Sequence, residues 1–258
     1  SAMLLGAATL LCDRELPGQV RLLFQPSEEM ADDQGISGAP LMIADGALDG
    51  VEVVLALHVD GTLDTGRIRV GDGWVGAAAD LFQARILGKG GHGAYPHRGI
   101  DPIWLASQVL AALYAIPSRR IAPLQPAVIS VGLIRAGTAE NVIPDSVYLE
   151  GTLRSYDDDI RNQLIDEVER AFQLTRTYGA DYLLEVNRGY PATYNNPTVA
   201  GWLRTVGEQL LGPDRIDREQ QSRGSEDFSF MSQRVPGAIF TLGVKEPGGP
   251  DRYLHTPT

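Results

Sequence analysis

Hydrophobic and polar positions along the chain follow two different periods, and the period changes twice. Residues 2–12 repeat at helical spacing, and two apolar runs have the length and composition of buried parallel strands, VRLLFQP at 20–26 and VEVVLALHV at 51–59. A glycine-punctuated amphipathic stretch ending near Leu48 separates the two runs. Strand, helix and strand in that order predict a βαβ layer with a right-handed crossover, in which ligands collect at the carboxyl ends of the strands.

The middle of the chain, from Ala79 to Tyr190, has a different order of elements. The pattern predicts strand 80–88, helix 101–116, strand 127–135, strand 146–154, helix 157–178 and strand 181–189. This β-α-β-β-α-β order is that of a ferredoxin-like module. After Tyr190 the earlier rhythm resumes, with a helix at 198–211, a short helix near 226–233 and the buried strand GAIFTLGV. We therefore predict an α/β domain of residues 1–75 and 191–258, interrupted by an inserted domain of residues 76–190.

Composition and charge exclude some functions. The formal net charge is -11 and the pI about 4.8, so we expect no nucleic-acid partner. No apolar run reaches the roughly 18 residues of a membrane span, so we expect no membrane partner. Cys12, the only cysteine, excludes an internal disulfide; we expect it in the core and predict a reducing, cytoplasmic location. The chain opens on a helix without a cap, so we also expect it to begin inside a domain.

Polar chemistry follows the two apolar runs at the start of the chain. Glu28 and Glu29 come after the first run, and His58 closes the second. A catalytic two-metal site needs carboxylate and imidazole ligands, together with an unligated carboxylate that accepts a proton from water. Adjacent glutamates point in different directions, so one can ligate while the other acts as a base. An isolated Glu-Glu pair is more often a solvated turn, but its position after a predicted strand favours the catalytic interpretation.

Two other motifs could be mistaken for a phosphate-binding loop and for a serine nucleophile. In GKGGHGAYPH, Lys89 is followed by Gly90 instead of the Ser or Thr of a phosphate loop, which argues against nucleotide binding. The glycines favour a tight exposed turn that presents His92, although a surface loop without a function has the same pattern. Ser225 lies in RGSEDFS, without the GxSxG of a nucleophile elbow, so a serine hydrolase is disfavoured.

Seven motifs occur in a characteristic order: FQPSEE, LALHV, GKGGHGAYPH, GTAENVIPD, GTLRSYD, GSEDFSF and LHTP. In this respect the chain resembles, over nearly its whole length, the aminoacylase and carboxypeptidase family of metal-dependent amidohydrolases. It is most similar to the branch with hippurate hydrolases, N-acyl amino acid amidohydrolases and indole-acetyl amino acid hydrolases. The resemblance implies a zinc-peptidase-like α/β catalytic domain with an inserted ferredoxin-like lid, through which a homodimer is expected.

The resemblance also implies a role for individual residues. The residues matching family positions are the general base Glu28, the metal ligands Glu29, His58 and His255, the oxyanion-binding His92, the substrate-binding Asn141 and Arg154, and the pocket-lining Glu226. In several relatives the histidine matching His92 reaches the active site of the partner subunit. Two divalent ions, Zn, Mn, Co or Ni, are expected in the intact protein.

The chain departs from the family pattern at both ends. The family's Cys-Gly-His-Asp motif, which supplies further ligands, would lie upstream of Ser1, and the chain stops soon after LHTP. We therefore expect a partial or empty metal site and no activity in the chain as given. The function expected of the intact protein is hydrolysis of the amide bond of N-acyl amino acids. The alternatives are a dipeptidase or carboxypeptidase of the same family, and a non-catalytic binding relative.

Overall fold

The computed structural model describes residues 1–29, 36–219, 222 and 224–252. Its α-helices are α1 (Ala2–Leu11), α2 (Gly38–Ala44), α3 (Pro102–Arg119), α4 (Asp158–Gln173), α5 (Pro197–Leu211) and α6 (Phe228–Ser232). Its strands are β1 (Val54–Asp64), β2 (Ile68–Arg69), β3 (Gly73–Gly76), β4 (Ala78–Leu87), β5 (Gly91–His92), β6 (Ala127–Ala136), β7 (Val142–Ile143), β8 (Ser146–Ser155), β9 (Asp181–Arg188), β10 (Thr193–Asn195), β11 (Ile216–Asp217) and β12 (Gly237–Lys245). The chain forms two compact units, residues 1–52 and residues 53–258.

The apolar run at 20–26, in the first unit, is not a strand, so the predicted βαβ layer is wrong. Val20 and Phe24 are 55% and 45% exposed. Arg21 donates from Nη1 to the carbonyl oxygens of Gly46 and Ala47, at 3.2 and 2.8 Å, just after α2. A short apolar run becomes a buried parallel strand only where neighbouring strands satisfy its backbone groups. Within the described part of this unit, no strand does so.

Helix α1, in the same unit, has the predicted position but buries no residue. Cys12, which follows it, is exposed and donates from Sγ to the carbonyl oxygen of Thr9 at 3.2 Å. The prediction that Cys12 is a core residue is therefore wrong, because an apolar helix buries its side chains only where another element covers them. No helix in the described ranges is long and apolar enough to cross a membrane.

The second unit begins with a sheet whose strand order is β1-β12-β2-β11. Strand β1 pairs in parallel with β12, from Val54 opposite Gly237 to Asp60 opposite Gly243. The parallel neighbour of the second apolar run therefore comes from the far end of the chain. The buried amide of Asn195 holds β12 in place: it accepts from Ile239 N and donates to Ile239 O, both at 2.8 Å.

A second, antiparallel sheet, called here the middle sheet, has the strand order β6-β8-β4-β9. Helices α3 and α4 cover one of its faces, and their apolar side chains form the largest core around Phe82, Leu105 and Phe172. The six predicted elements of this region are confirmed to within a few residues. One difference is the long helix, which is α-helical only to Gln173 and continues as a 3₁₀ helix to Tyr178.

Among the described residues of the second unit, neither α3 nor α4 covers the other face of the middle sheet, called here the open face. Along β8, buried side chains directed at the helices alternate with half-buried ones directed at this open face. The open-face residues of β8 run from Tyr148 through Glu150 and Thr152 to Arg154. Pairing places Tyr148 between Arg135 and Arg85, and Arg154 between Val128 and Ala79. One end of the open face therefore carries Arg154, and the other end carries a row of arginine and tyrosine.

The two places where the chain enters and leaves the middle sheet are neighbours. Asp80, near the start of β4, lies opposite Arg188 at the end of β9, and Ala79 N donates to Tyr190 O at 3.0 Å. The buried Asp80 carboxylate accepts from Arg161 Nε at 2.9 Å and from Gly189 N at 3.1 Å. A buried charge is tolerated only when it is paired and hydrogen-bonded in this way.

Candidate functional site

His58 lies inside β1, five residues into the strand, and not at its end as the sequence indicated. Regular pairing with β12 nevertheless stops at Asp60, where the register shifts. The ring of His58 is 30% exposed, and its Nδ1 lies 2.7 Å from the carbonyl oxygen of Val59. Because a carbonyl oxygen only accepts, Nδ1 carries a proton, and in the neutral ring Nε2 then carries the lone pair.

The lone pair of His58 faces a carboxylate. Nε2 of His58 lies 3.8 Å from Oε1 of Glu226, which is also 30% exposed. Two electron-pair donors at this separation fit a cation between them, and a histidine whose other nitrogen donates to a carbonyl is the usual arrangement in metal sites. Within the described ranges, no three His, Cys, Asp or Glu side chains gather as a metal cluster. The described residues therefore contribute a pair of donors suited to a divalent metal.

The strand beyond His58 is fixed by a carboxylate. Burial acts to raise the pKa of Asp60, but the hydroxyl and N–H of Thr62 and the charge of Arg69 outweigh it, so the pKa is lowered. The Thr62 hydroxyl donates to Asp60 Oδ1 at 2.7 Å, and Arg69 Nη1 donates to Oδ2 at 2.5 Å. Asp60 is therefore ionised at neutral pH and holds the bulge that follows His58.

Glu226 follows a loop that is hydrogen-bonded both to β3 and to the middle sheet. Ser222 N donates to Val75 O at 2.8 Å, and Ala77 N donates to Gly224 O at 3.0 Å. From β8, Arg154 Nη1 reaches Ser225 Oγ at 3.4 Å. Arg154 therefore lies beside the residue that precedes Glu226, and the structure brings together the neighbourhoods of Arg154, Glu226 and His58.

Sequence reasoning missed Tyr156, which holds the same loop. Its hydroxyl donates to the carbonyl oxygen of Ser222 at 2.9 Å. The contact joins residues 66 positions apart, and its acceptor is a backbone carbonyl, so the type of residue at position 222 does not indicate it. Only the position of Tyr156 two residues after Arg154, at the end of a predicted strand, pointed towards it.

His92 and Asn141 are neighbours in the structure. Strand β5 pairs with β7, and Gly93 N donates to Asn141 O at 2.8 Å. His92 Nδ1 accepts from Ala94 N at 3.1 Å, and its ring meets the Tyr95 ring edge-on with centroids 5.5 Å apart. Both His92 and Asn141 are exposed.

This pair does not join the neighbourhood of Arg154. The β5–β7 pair leaves the middle sheet where Leu87 lies opposite Ser146, whereas Arg154 lies opposite Ala79. The eight residue steps from Ala79 to Leu87 span roughly 27 Å at about 3.4 Å per residue. His92 therefore follows the end of the sheet opposite to the one that carries Arg154.

Glu28 and Glu29 belong to the first unit. Glu28 is half-buried and Glu29 is exposed. Ser27, immediately before them, has φ of 50°, a left-handed conformation that costs a non-glycine residue free energy and concentrates at functional sites. A Cβ at Gly38 would lie 1.9 Å from Pro26 O, so glycine permits the close approach of α2 to this turn.

His255 lies outside the described residues. The last described residue, Arg252, donates from its N–H to Gly61 O at 3.0 Å. Gly61 is three positions after His58, so the described chain ends beside the strand that carries His58.

Comparison with known proteins gives a consistent result. The family model described as peptidase family M20/M25/M40 matches residues 1–258. The chain is 37% identical over 248 residues to thermostable carboxypeptidase 1 of Saccharolobus solfataricus, covering 95% of this chain and 62% of that protein. It is 38% identical over 254 residues to N-acetyl-L-cysteine deacetylase of Bacillus subtilis, covering 95% and 58%. The chain thus spans about three-fifths of these relatives.

A solved structure agrees with them. A dinuclear metal-binding peptidase of the M20 family from Bacillus subtilis superposes with a TM-score of 0.80 at 30% identity, covering 98% of this chain and 64% of that one.

Proposed function

The chain belongs to peptidase family M20/M25/M40, and from this membership we propose that the intact protein is a metal-dependent amidohydrolase of N-acyl amino acids. The observation that carries the proposal is the His58 ring, whose Nδ1 is held by a backbone carbonyl while Nε2 faces Glu226. A relative named for deacetylation of an N-acetyl amino acid supports the acyl substrate. A solved relative named as a dinuclear metal-binding peptidase supports two divalent ions.

The proposed ligands are Glu29, His58 and His255. When bound, the ions polarise the scissile carbonyl and acidify the attacking water. Glu28 accepts the proton of that water and passes it to the leaving amine nitrogen. The strained backbone at Ser27, immediately before Glu28, supports a functional role for this turn.

Three further residues bind the substrate in this proposal. Arg154 binds its carboxylate, for which a guanidinium has a matching fork; the contact of Arg154 with Ser225, the residue before Glu226, supports this role. His92 and Asn141 hydrogen-bond the developing oxyanion and the carboxylate. Glu226 lines the pocket next to His58.

We further propose that residues 76–190 form an inserted ferredoxin-like lid and that residues 1–75 and 191–258 form the catalytic domain. The support is the middle sheet. Its strands lie side by side in the order β9-β4-β8-β6, which are the last, first, third and second of the region, and both helices cover one face. The adjacent entry and exit points at Ala79 and Tyr190 also support an insertion.

A homodimer is part of the same proposal. His92 follows the end of the middle sheet that is roughly 27 Å, along β4, from the Arg154 row. A site that contains both residues is most simply completed by His92 from a second copy. A cytoplasmic location stays a prediction, supported by the single cysteine.

A second candidate function is favoured by one comparison. The similarity to a thermostable carboxypeptidase supports a peptide substrate with a free carboxylate, which Arg154 binds equally well. Parallel assays on N-acetyl amino acids, N-benzoyl-glycine and dipeptides separate the two activities.

The test uses this chain beside a longer version that matches its relatives in length. We expect about two tightly bound Zn or Mn ions and amide hydrolysis in the longer version, and few or no tight ions in the short one. In the longer version, Glu28→Gln keeps its metal but loses turnover by about three orders of magnitude or more. An unchanged turnover removes Glu28 as the base, and empty sites in both versions favour a non-catalytic binding relative.

A further inference from the structure

The open face of the middle sheet contains a cavity of about 760 Å³ that lies away from Arg154 and His58. Its floor is the row of Arg135, Tyr148 and Arg85, which are directly opposite one another on three adjacent strands. This set is called the Arg–Tyr–Arg row. The volume of the cavity falls in the range of small-molecule sites in proteins, about 300–1,000 Å³.

The charged side chains that line this cavity are of both signs, and the cations are Arg85 and Arg135. Two acidic side chains also line it, but each accepts a hydrogen bond: Asp145 Oδ1 from Gly90 N at 2.9 Å, and Glu150 Oε1 from the Tyr148 hydroxyl at 2.5 Å. That bond raises the pKa of Tyr148 and keeps the phenol protonated as a donor. The guanidinium of Arg85 lies over the Tyr148 ring at 5.5 Å.

Arg135 is the second cation of the cavity. It is exposed, and no carboxylate lies within ion-pair distance of it in the part of the chain that the structure describes. The chain as a whole has a net charge of -11, so two arginines on one cavity floor are not a general property of its surface. A guanidinium fork matches a carboxylate with two parallel hydrogen bonds.

One wall of the cavity is apolar. The residues Val142, Ile143 and Pro144 line it, and Val142 is 50% exposed. A ligand that satisfies both floor and wall therefore has an anionic head and an apolar body. We propose that the Arg–Tyr–Arg row is a binding site for a small organic carboxylate with a planar apolar body, separate from the site at His58.

The test is calorimetric titration of the 258-residue chain with benzoate, with benzamide as the neutral isostere and inorganic phosphate as an anion without a body. We expect benzoate to bind with a dissociation constant on the order of 1 mM, and benzamide and phosphate to bind at least about tenfold more weakly. Arg135→Gln weakens benzoate binding about tenfold, because it removes the charged fork and leaves a shorter, neutral polar side chain.

The controls distinguish this site from the proposed catalytic one. Arg188→Gln, on β9 and outside the cavity, leaves the affinity for benzoate unchanged. Loss of benzoate binding in Arg154→Gln but not in Arg135→Gln overturns the proposal, because the carboxylate then sits at the candidate active site. Equal binding of benzoate and phosphate, or no binding of benzoate, also overturns it. The proposed hydrolase activity stands or falls separately, since no metal or turnover enters this measurement.

Discussion

Some side chains of this protein form ion pairs whose contribution to the stability of the fold depends on pH. Glu167, on α4, has a side chain that is only 6% exposed and accepts from Arg120 Nε and Nη2, both at 2.9 Å. The hydrogen bonds and charge of Arg120, aided by Arg170 and opposed by burial, lower the pKa of Glu167 below its ordinary value of 4.5. The ionised carboxylate therefore stabilises the fold.

The sign of the pH dependence follows from that shift. A lowered folded-state pKa contributes stability above the ordinary pKa, and this contribution disappears as the pH falls through the folded-state value. We expect Glu167→Gln to be less stable than the unchanged chain at pH 7, with the difference shrinking below about pH 4.5. Urea unfolding at a series of pH values measures it. Glu185→Gln, on the exposed edge strand β9, is the control, and a difference that widens in acid contradicts the prediction.

At the scale of single elements, the close packing of β4 against β8 depends on a missing side chain. A Cβ at Gly151 would lie 2.3 Å from Phe82 Cε1 and 2.5 Å from Ser130 O. Phe82 is fully buried and packs edge-on against Phe172, with ring centroids 6.2 Å apart. Glycine at this position lets the ring lie flat against the strand.

Alanine at Gly151 therefore forces the ring or the neighbouring strand to move. We expect Gly151→Ala to lower the free energy of unfolding by about 1–3 kcal/mol, the range for overpacked cores. Gly132→Ala is the matched control, because a Cβ at this bulge residue of β6 meets nothing within 4 Å. Equal stability of the two variants in denaturant unfolding refutes this explanation.

The same elements show what the sequence could predict. The strands and helices of the middle sheet were predicted because their apolar residues repeat at a fixed period and each element has a partner. The run at 20–26 has the composition of a buried strand, but the described residues of its unit contain no strand for it to pair with, and composition alone does not supply one. The two-residue strands and the pairing of β1 with β12 depend on contacts across most of the chain, which no local pattern encodes.

The candidate site was predictable to a similar degree. Motifs located His58, Glu226, Arg154 and His92, but not which of them meet. The separation of His92 from Arg154 follows from strand register, which periodicity leaves open, and the contact of His58 with Glu226 joins a strand to a loop far along the chain. Tyr156 and the Arg–Tyr–Arg row were missed for the same reason.

At the scale of the whole molecule, the proposed dimer leads to a test by complementation. If His92 acts in the site of a second copy, a longer version with His58→Ala and one with His92→Ala are each inactive alone. Mixed and reassembled, they form heterodimers in which one of the two sites has both histidines. We expect up to about a quarter of the unchanged activity in an equal mixture, because half of the dimers are mixed and each has one intact site.

Two measurements accompany the mixture. Sedimentation establishes whether each variant is a dimer. A mixture of His58→Ala with Glu28→Gln is the control, because both residues act within one copy in the proposed site, so neither site of a mixed dimer has both residues intact. Activity that does not rise on mixing His58→Ala with His92→Ala contradicts action in the second copy.

The neighbouring positions of Ala79 and Tyr190 have a consequence for replacement of the segment between them. Because the backbone leaves the first part and returns to it at almost the same point, the proposed insertion is joined to the rest of the chain by two adjacent connections. A link of two or three residues could bridge the gap that its removal leaves, without stretching either flank. A replacement segment of another length would meet the same two flanks at the same spacing, but it would lack the contacts of Arg154 and Tyr156 with the loop before Glu226.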